Sequence, residues 1–129
     1  MYFVADAHAV LWFLQTDTRL SARAREILAS PESEIIIPAV ALAEVIHTFR
    51  KLGMSGNASE VVEKVLNAVN ATIYPLDAEV LRRLPPVLDI HDGAIAVTAL
   101  VLSDKLGQDI PLITADKEIT KSGLVRTIW

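Results

Sequence analysis

Four acidic residues stand where the 129-residue chain turns from apolar runs to helical spacing: Asp6, Glu44, Asp92 and Asp116. Asp6 closes the run that starts at Tyr2, and Asp116 comes just after Thr114 at the end of another. Glu44 lies roughly a turn and a half into the helix expected after Ile35-Ile36-Ile37, and Asp92 opens a long apolar helix. In a sheet covered by helices, ligands bind outside the carboxyl ends of the strands, so these acids could converge on one edge. Carboxylates crowded together repel: a pair at 4 Å costs roughly 4 kcal/mol at an effective dielectric of about 20. Such a group must take up protons or a cation, and oxygen-only ligands select Mg²⁺ or Mn²⁺. The chemistry open to such a centre is hydrolysis of a phosphodiester by a water whose pKa the ion lowers.

Each acid taken singly has a plainer explanation. Asp6 and Asp116 suit helix N-caps at strand-to-helix junctions, and so does Asp92 at the head of its helix. Asp92 also heads a stripe with Ile95, Ala96, Ala99 and Ser103, which turns it toward a packed face or its rim. Glu44 lines up with His47, Thr48 and Lys51, an ordinary polar face. The histidines His8, His47 and His91 read as local hydrogen-bonders, with His8 and His91 candidates to line one cleft. The His91-Asp92 pair is shared with the all-helical HD phosphohydrolases, but the strands here argue against that setting. Asp6-Ala-His8 lacks the second acid of a haloacid-dehalogenase DxD, and no P-loop, GxGxxG or GxSxG occurs.

The elements that must carry these residues alternate between strand and helix. Strands are expected at Tyr2 to Ala5, Ile35 to Ile37, Thr72 to Tyr74, Pro111 to Thr114 and Val125 to Ile128. Helices are expected through Val10 to Leu14, from Ser21 to Ser30, and over Ala39 to Leu52, Ala58 to Val69, Asp77 to Leu84 and His91 to Leu106. Strands separated by helices predict a three-layer α/β/α domain with a mostly parallel central sheet. Residues 1 to 129 read as one domain, with no repeat, linker or low-complexity segment.

The composition agrees with that architecture. Hydrophobic residues make up 52% but aromatics only 5%, so the interior is aliphatic. Mean hydropathy is +0.39, which suits a doubly covered sheet or a subunit that hides apolar surface in an oligomer. No apolar run reaches the roughly 18–20 residues that span a bilayer, and the start lacks the basic region of a signal peptide. A soluble cytoplasmic protein without membrane partners is the expectation. Cysteine is absent, which removes disulfides and thiolate metal sites. The net charge of −4 argues against a passive nucleic-acid-coating module. It leaves a nuclease open, because a bound cation cancels local negative charge.

The order of these motifs resembles the PIN domain, specifically the short ribonucleases of VapC-type toxin–antitoxin modules, over essentially the whole chain. Val4-Ala-Asp6-Ala-His-Ala-Val-Leu-Trp12 is similar to the family's first strand, its Asp and the helix that follows. Ile37-Pro-Ala-Val-Ala-Leu-Ala-Glu44 is similar to the segment bearing the family Glu. Asp89-Ile-His-Asp92-Gly-Ala-Ile-Ala resembles the third motif, and Leu112-Ile-Thr114-Ala-Asp116-Lys the last. Two positions depart from the pattern: His8 stands where Ser or Thr is frequent, and Gly93 where the toxin subgroup often has Arg.

The resemblance implies an endoribonuclease that uses one or two Mg²⁺ or Mn²⁺ ions. Asp6, Asp92 and Asp116 would be the principal ligands, with Glu44 a further ligand or the group orienting the attacking water. Thr114 could hold a carboxylate or a bound water in place. Arg50 and Lys51, at the end of the Glu44 helix, are candidates for contact with the substrate backbone. The implied partners are RNA, a second copy of the chain and, for a toxin, a small antitoxin that places a basic side chain among the acids. Two other readings stay open: a PIN-like interaction module whose acids serve only as caps, and an RNA-processing nuclease without an antitoxin.

Overall fold

The computed structural model of the chain describes residues 1–54 and 56–129. Its centre is a five-stranded sheet made of β1 (Tyr2–Ala5), β2 (Glu34–Pro38), β3 (Ala71–Tyr74), β4 (Leu112–Ile113) and β5 (Thr127–Ile128). The strand order is β3-β2-β1-β4-β5, and every pairing is parallel, not merely most of them. Phe3-Val4-Ala5 and Ile35-Ile36-Ile37 are buried without alternation, because helices cover the sheet on both faces.

The helices are α1 (Ala7–Leu14), α2 (Ala22–Ala29), α3 (Ala39–Lys51), α4 (Ala58–Ala68), α5 (Ala78–Arg82), α6 (Ile90–Leu106) and α7 (Lys117–Ser122). Right-handed crossovers place helices on opposite faces according to the direction in which the next strand is added. From β1 to β2 to β3 the sheet grows one way, and α1, α2, α3 and α4 pack among themselves. From β4 to β5 it grows the other way, and α5, α6 and α7 form the second layer. The two layers meet where α3 touches α6.

That reversal puts the topological switch point between β1 and β4, the place where a parallel sheet opens a crevice at its carboxyl edge. The ladder there is short but well defined. The Val4 N–H donates to the Pro111 carbonyl at 3.0 Å, and the Asp6 N–H to the Ile113 carbonyl at 3.2 Å. Thr114 donates its own N–H to the Ile128 carbonyl at 3.1 Å. Asp6 and Thr114 are thus fixed side by side by main-chain bonds one residue beyond the strands.

Several element bounds differ from the expectations, among them β5, which is only Thr127–Ile128, and three differences bear on the site. β4 is only Leu112–Ile113, since Pro111 lacks an N–H and Thr114 already turns toward the next helix. The six-residue α7 is too short for periodicity to signal, and it is fastened by caps at both ends: Asp116 at the start and Gly123, at φ +67°, at the finish. The third boundary concerns Asp92. α6 begins at Ile90, and Asp89 is its N-cap, with Oδ1 accepting from the Asp92 N–H at 2.9 Å. Asp92 therefore lies in the first turn, where it does not cap the helix. α6 is buried continuously from Gly93 to Ala99, since it packs against the sheet on one side and α3, α5 and α7 on others.

Gly93 has a packing reason of its own. A Cβ at this position would lie 3.2 Å from Cδ of Pro85 and 3.7 Å from Cδ2 of Leu84. The segment before α6 folds directly over the glycine, so a long side chain here would have to displace it.

Candidate active site

Asp6 is the most enclosed acid, only 6% exposed. Its backbone is extended, and Oδ1 accepts from the Ala9 N–H at 2.8 Å, which makes it the N-cap of α1. Its other oxygen accepts from the Thr114 hydroxyl. Thr114 in turn accepts from the Asp116 N–H at 3.0 Å. Asp116 caps α7 through the Ile119 N–H at 2.9 Å. One buried hydroxyl thus links the acid after β1 to the acid after β4 across the switch point. Capping and clustering are not alternatives for Asp6 and Asp116, because each does both.

Glu44 and Asp92 approach from the facing helices α3 and α6, and both are half-buried. Asp92 is pushed up to about 7, first by burial, then by the charges of Asp116 and Asp89, a hydrogen bond with Asp89, and the charge of Glu44. Burial is also the largest cause of the raised Glu44 carboxyl; His91 and His8 pull it down, while Asp6 and Asp89 push it up. Asp6 is raised by desolvation, against the lowering effect of its hydrogen bonds from Thr114 and Ala9, and Asp116 pushes it further upward. The four acids therefore feel one another: Asp6 with Asp116 and Glu44, and Asp92 with Asp116 and Glu44.

Among the described residues, no three acidic or histidine side chains already converge tightly enough to enclose an ion. Mutual repulsion favours such a spread, and Mg²⁺ retains several waters that bridge to its ligands. The donor set is wholly carboxylate and hydroxyl, hard oxygens held beneath solvent at a sheet edge, and it fits a hard divalent cation.

Asp89 is a fifth acid that the motif reading left without a role. It is exposed, caps α6 and shares a hydrogen bond with Asp92. The signal was present as an acid three residues before another, the spacing of a capping box. Asp89→Ala is expected to cost about 1 kcal/mol of stability and to lower the Asp92 pKa by removing one neighbouring charge. Urea unfolding and carboxyl-resolved NMR titration measure the two effects.

His8 and His91 do share a cleft. It measures about 280 Å³ and is lined by Ala7, His8, Leu11, Glu44, Val45, His47, Thr48 and His91. Nδ1 of His91 lies 3.4 Å from Oε1 of Glu44. Arg50 and Lys51 are exposed in the last turn of α3, beyond His47 and Thr48, and neither lines the cleft.

A five-stranded parallel sheet of this order, with acids at its switch point, is the architecture of a PIN domain, and residues 3–123 match the PIN domain family model. The chain belongs to that family. Its fold is shared by three solved structures. The VapBC2 structure from Rickettsia felis, bound to a DNA fragment from its promoter, has a TM-score of 0.68 at 14% identity, over 99% of this chain and 98% of that one. VapC20 of Mycobacterium tuberculosis, a toxin that cleaves the sarcin–ricin loop, aligns with a TM-score of 0.64 at 16% identity, over 95% and 96%. FitAB bound to an IR36 DNA fragment gives 0.65 at 16% identity, over 99% and 94%. No curated protein sequence gives a significant match. PIN domains are typically nucleases that use divalent metals. No helix among the described residues is long and apolar enough to cross a membrane.

Proposed function

We propose that the chain is a Mg²⁺- or Mn²⁺-dependent endoribonuclease acting as one domain, with Asp6, Glu44, Asp92 and Asp116 as its catalytic and metal-holding residues. The observation that carries this reading is the buried hydrogen-bond chain from Asp6 through Thr114 to Asp116 at the switch point, with Glu44 and Asp92 half-buried on the helices beside it. A cluster formed only by capping would have no reason to bring Glu44, which caps nothing, toward Asp6 and Asp92.

A bound divalent ion supplies charge to the scissile phosphate and acidity to the attacking water. Asp6, Asp92 and Asp116 would hold it, directly or through water. Thr114 orients Asp6 by donating to one carboxylate oxygen and is itself fixed by the Asp116 N–H. Glu44 lines the open cleft, which supports its assignment as a further ligand or the group that would orient the attacking water. Asp92, whose carboxyl is pushed up to about 7 chiefly by burial, would have to give up its proton to serve as a ligand.

The finer identity we infer is the toxin of a toxin–antitoxin pair, working as a homodimer whose acids an antitoxin's basic side chain can cover. Its support is the fold shared with toxins and exposed apolar residues beside the site, Val87 at 70% and Ile90 at 67%. Arg50 and Lys51 would then contact substrate phosphates outside the cleft. Incubating the chain with single-stranded and structured RNA in Mg²⁺ or Mn²⁺ should give cleavage that chelation stops. Intact RNA under all these conditions would leave the interaction-module reading in its place.

A further inference from the structure

We propose that the cleft between α1 and α3 is a nucleobase subsite, which holds one unstacked base next to the cleaved phosphate with the His8 ring as its stacking platform. The inference rests on the nuclease reading for its place in a reaction and on separate observations for its chemistry. The cleft has an apolar floor of Ala7, Leu11 and Val45 and a rim of hydrogen-bonding groups from His47, Thr48 and His91. Small-molecule sites are built this way, with flat apolar contact for affinity and a few polar groups for orientation. Of the four acids, Glu44 lines the cleft, so an occupant lies beside that one carboxylate.

The platform is backed by an aromatic cluster. His8 is exposed, and its ring centroid lies 5.1 Å from that of Trp12 at a 37° tilt. Trp129 packs edge-on against Trp12 at 5.8 Å. The guanidinium of Arg19 covers Trp12 at 4.7 Å and is itself pinned by Asp17, with Nη2 2.8 Å from Oδ2 and Nε 3.1 Å from Oδ1. Trp12, in contact with Arg19 and Trp129, also contacts the His8 ring, so a base that adds to His8 extends contacts already made in the free chain, which lowers the ordering cost. Stacking is sequence-tolerant, because every base presents a flat π-face. The rim groups would supply preference among bases.

Neutral nucleosides test this without metal, phosphate or cleavage. Trp12 and Trp129 are the only tryptophans, so two indole N–H signals in a nitrogen–proton NMR spectrum report on the cluster. Adenosine or uridine should shift the Trp12 signal and the His8 and His47 ring signals saturably, while ribose should not. His8→Ala should weaken nucleoside binding at least about fivefold, and His8→Phe, which keeps a flat ring, should restore it. Equal response to ribose and nucleoside, unchanged binding in His8→Ala, or no restoration in His8→Phe would each overturn the subsite. A chain that binds nucleosides but cuts no RNA would refute the nuclease reading alone, and a chain that cuts RNA but ignores nucleosides would refute only the subsite.

Discussion

Asp6→Asn is expected to reduce metal-dependent RNA cleavage at least about a hundredfold while leaving the fold intact. Loss of groups that merely support metal ligands already costs 10–100-fold, and Asp6 is proposed as a ligand itself. The substitution separates chemistry from structure because the amide keeps the oxygen that accepts from the Ala9 N–H, so α1 remains capped. The new amide nitrogen faces the Thr114 hydroxyl, which can rotate to accept from it. The buried negative charge disappears, and the melting temperature should stay within about 3 °C of the parent or rise. Asp6→Ala is the wrong probe, since it removes the cap and leaves both the Ala9 N–H and the Thr114 hydroxyl with no hydrogen-bond partner at position 6. Cleavage rates and thermal melts on the same preparation decide the matter: full activity in a well-folded Asp6→Asn chain would remove Asp6 from the centre.

Stability should depend on pH and on metal in opposite senses. Asp92 titrates near 7 in the folded chain and near its ordinary carboxylate value when unfolded, and Asp6 and Glu44 are also raised. Between about pH 4 and 7 the folded chain therefore holds more protons than the unfolded one, and stability falls as pH rises through that window. Asp17, lowered to about 2 by its hydrogen bonds and ion pair with Arg19, has the opposite sign, and its contribution is lost below about pH 4. The metal-free protein should be most stable near pH 4 and melt several degrees lower at pH 8, on the order of 5 °C. Asp92→Asn should flatten that decline. Mn²⁺ competes with protons for the same oxygens, so its stabilisation should be small at pH 5 and larger at pH 8. At a hundred times its dissociation constant the ion contributes roughly 2.7 kcal/mol. Scanning calorimetry across this range with and without Mn²⁺ is the measurement. A metal effect independent of pH would mean that the ion binds somewhere other than among these acids.

Much of the fold was legible because its signals are local. Ile35-Ile36-Ile37 before Pro38 could be little else than a buried strand, and Ser21 does cap its helix through the Ala24 N–H. Glycine at 107, with φ +62°, ends α6 where the sequence suggests. The start of α6 was less legible, because Asp89 and Asp92 are both chemically suited to cap, and only the path of the preceding segment over Gly93 selects the first. α7 is shorter than two turns, and no hydrophobic period can emerge from so few residues.

The four acids Asp6, Glu44, Asp92 and Asp116 illustrate the division most clearly. Their types, their order and their places after apolar runs are properties of the sequence, and so is the restriction to hard oxygen chemistry in a chain without cysteine. Whether four acids separated by up to 110 positions share one edge is a property of strand order. β4 lies beside β1 and not beyond β3, and that neighbourhood brings the Thr114 hydroxyl between Asp6 and Asp116. Only the packing of α3 against α6 then carries Glu44 and Asp92 toward them. The physical reason is range: capping, periodicity and turn chemistry act over a few residues, whereas desolvation and charge coupling depend on what the folded chain places nearby.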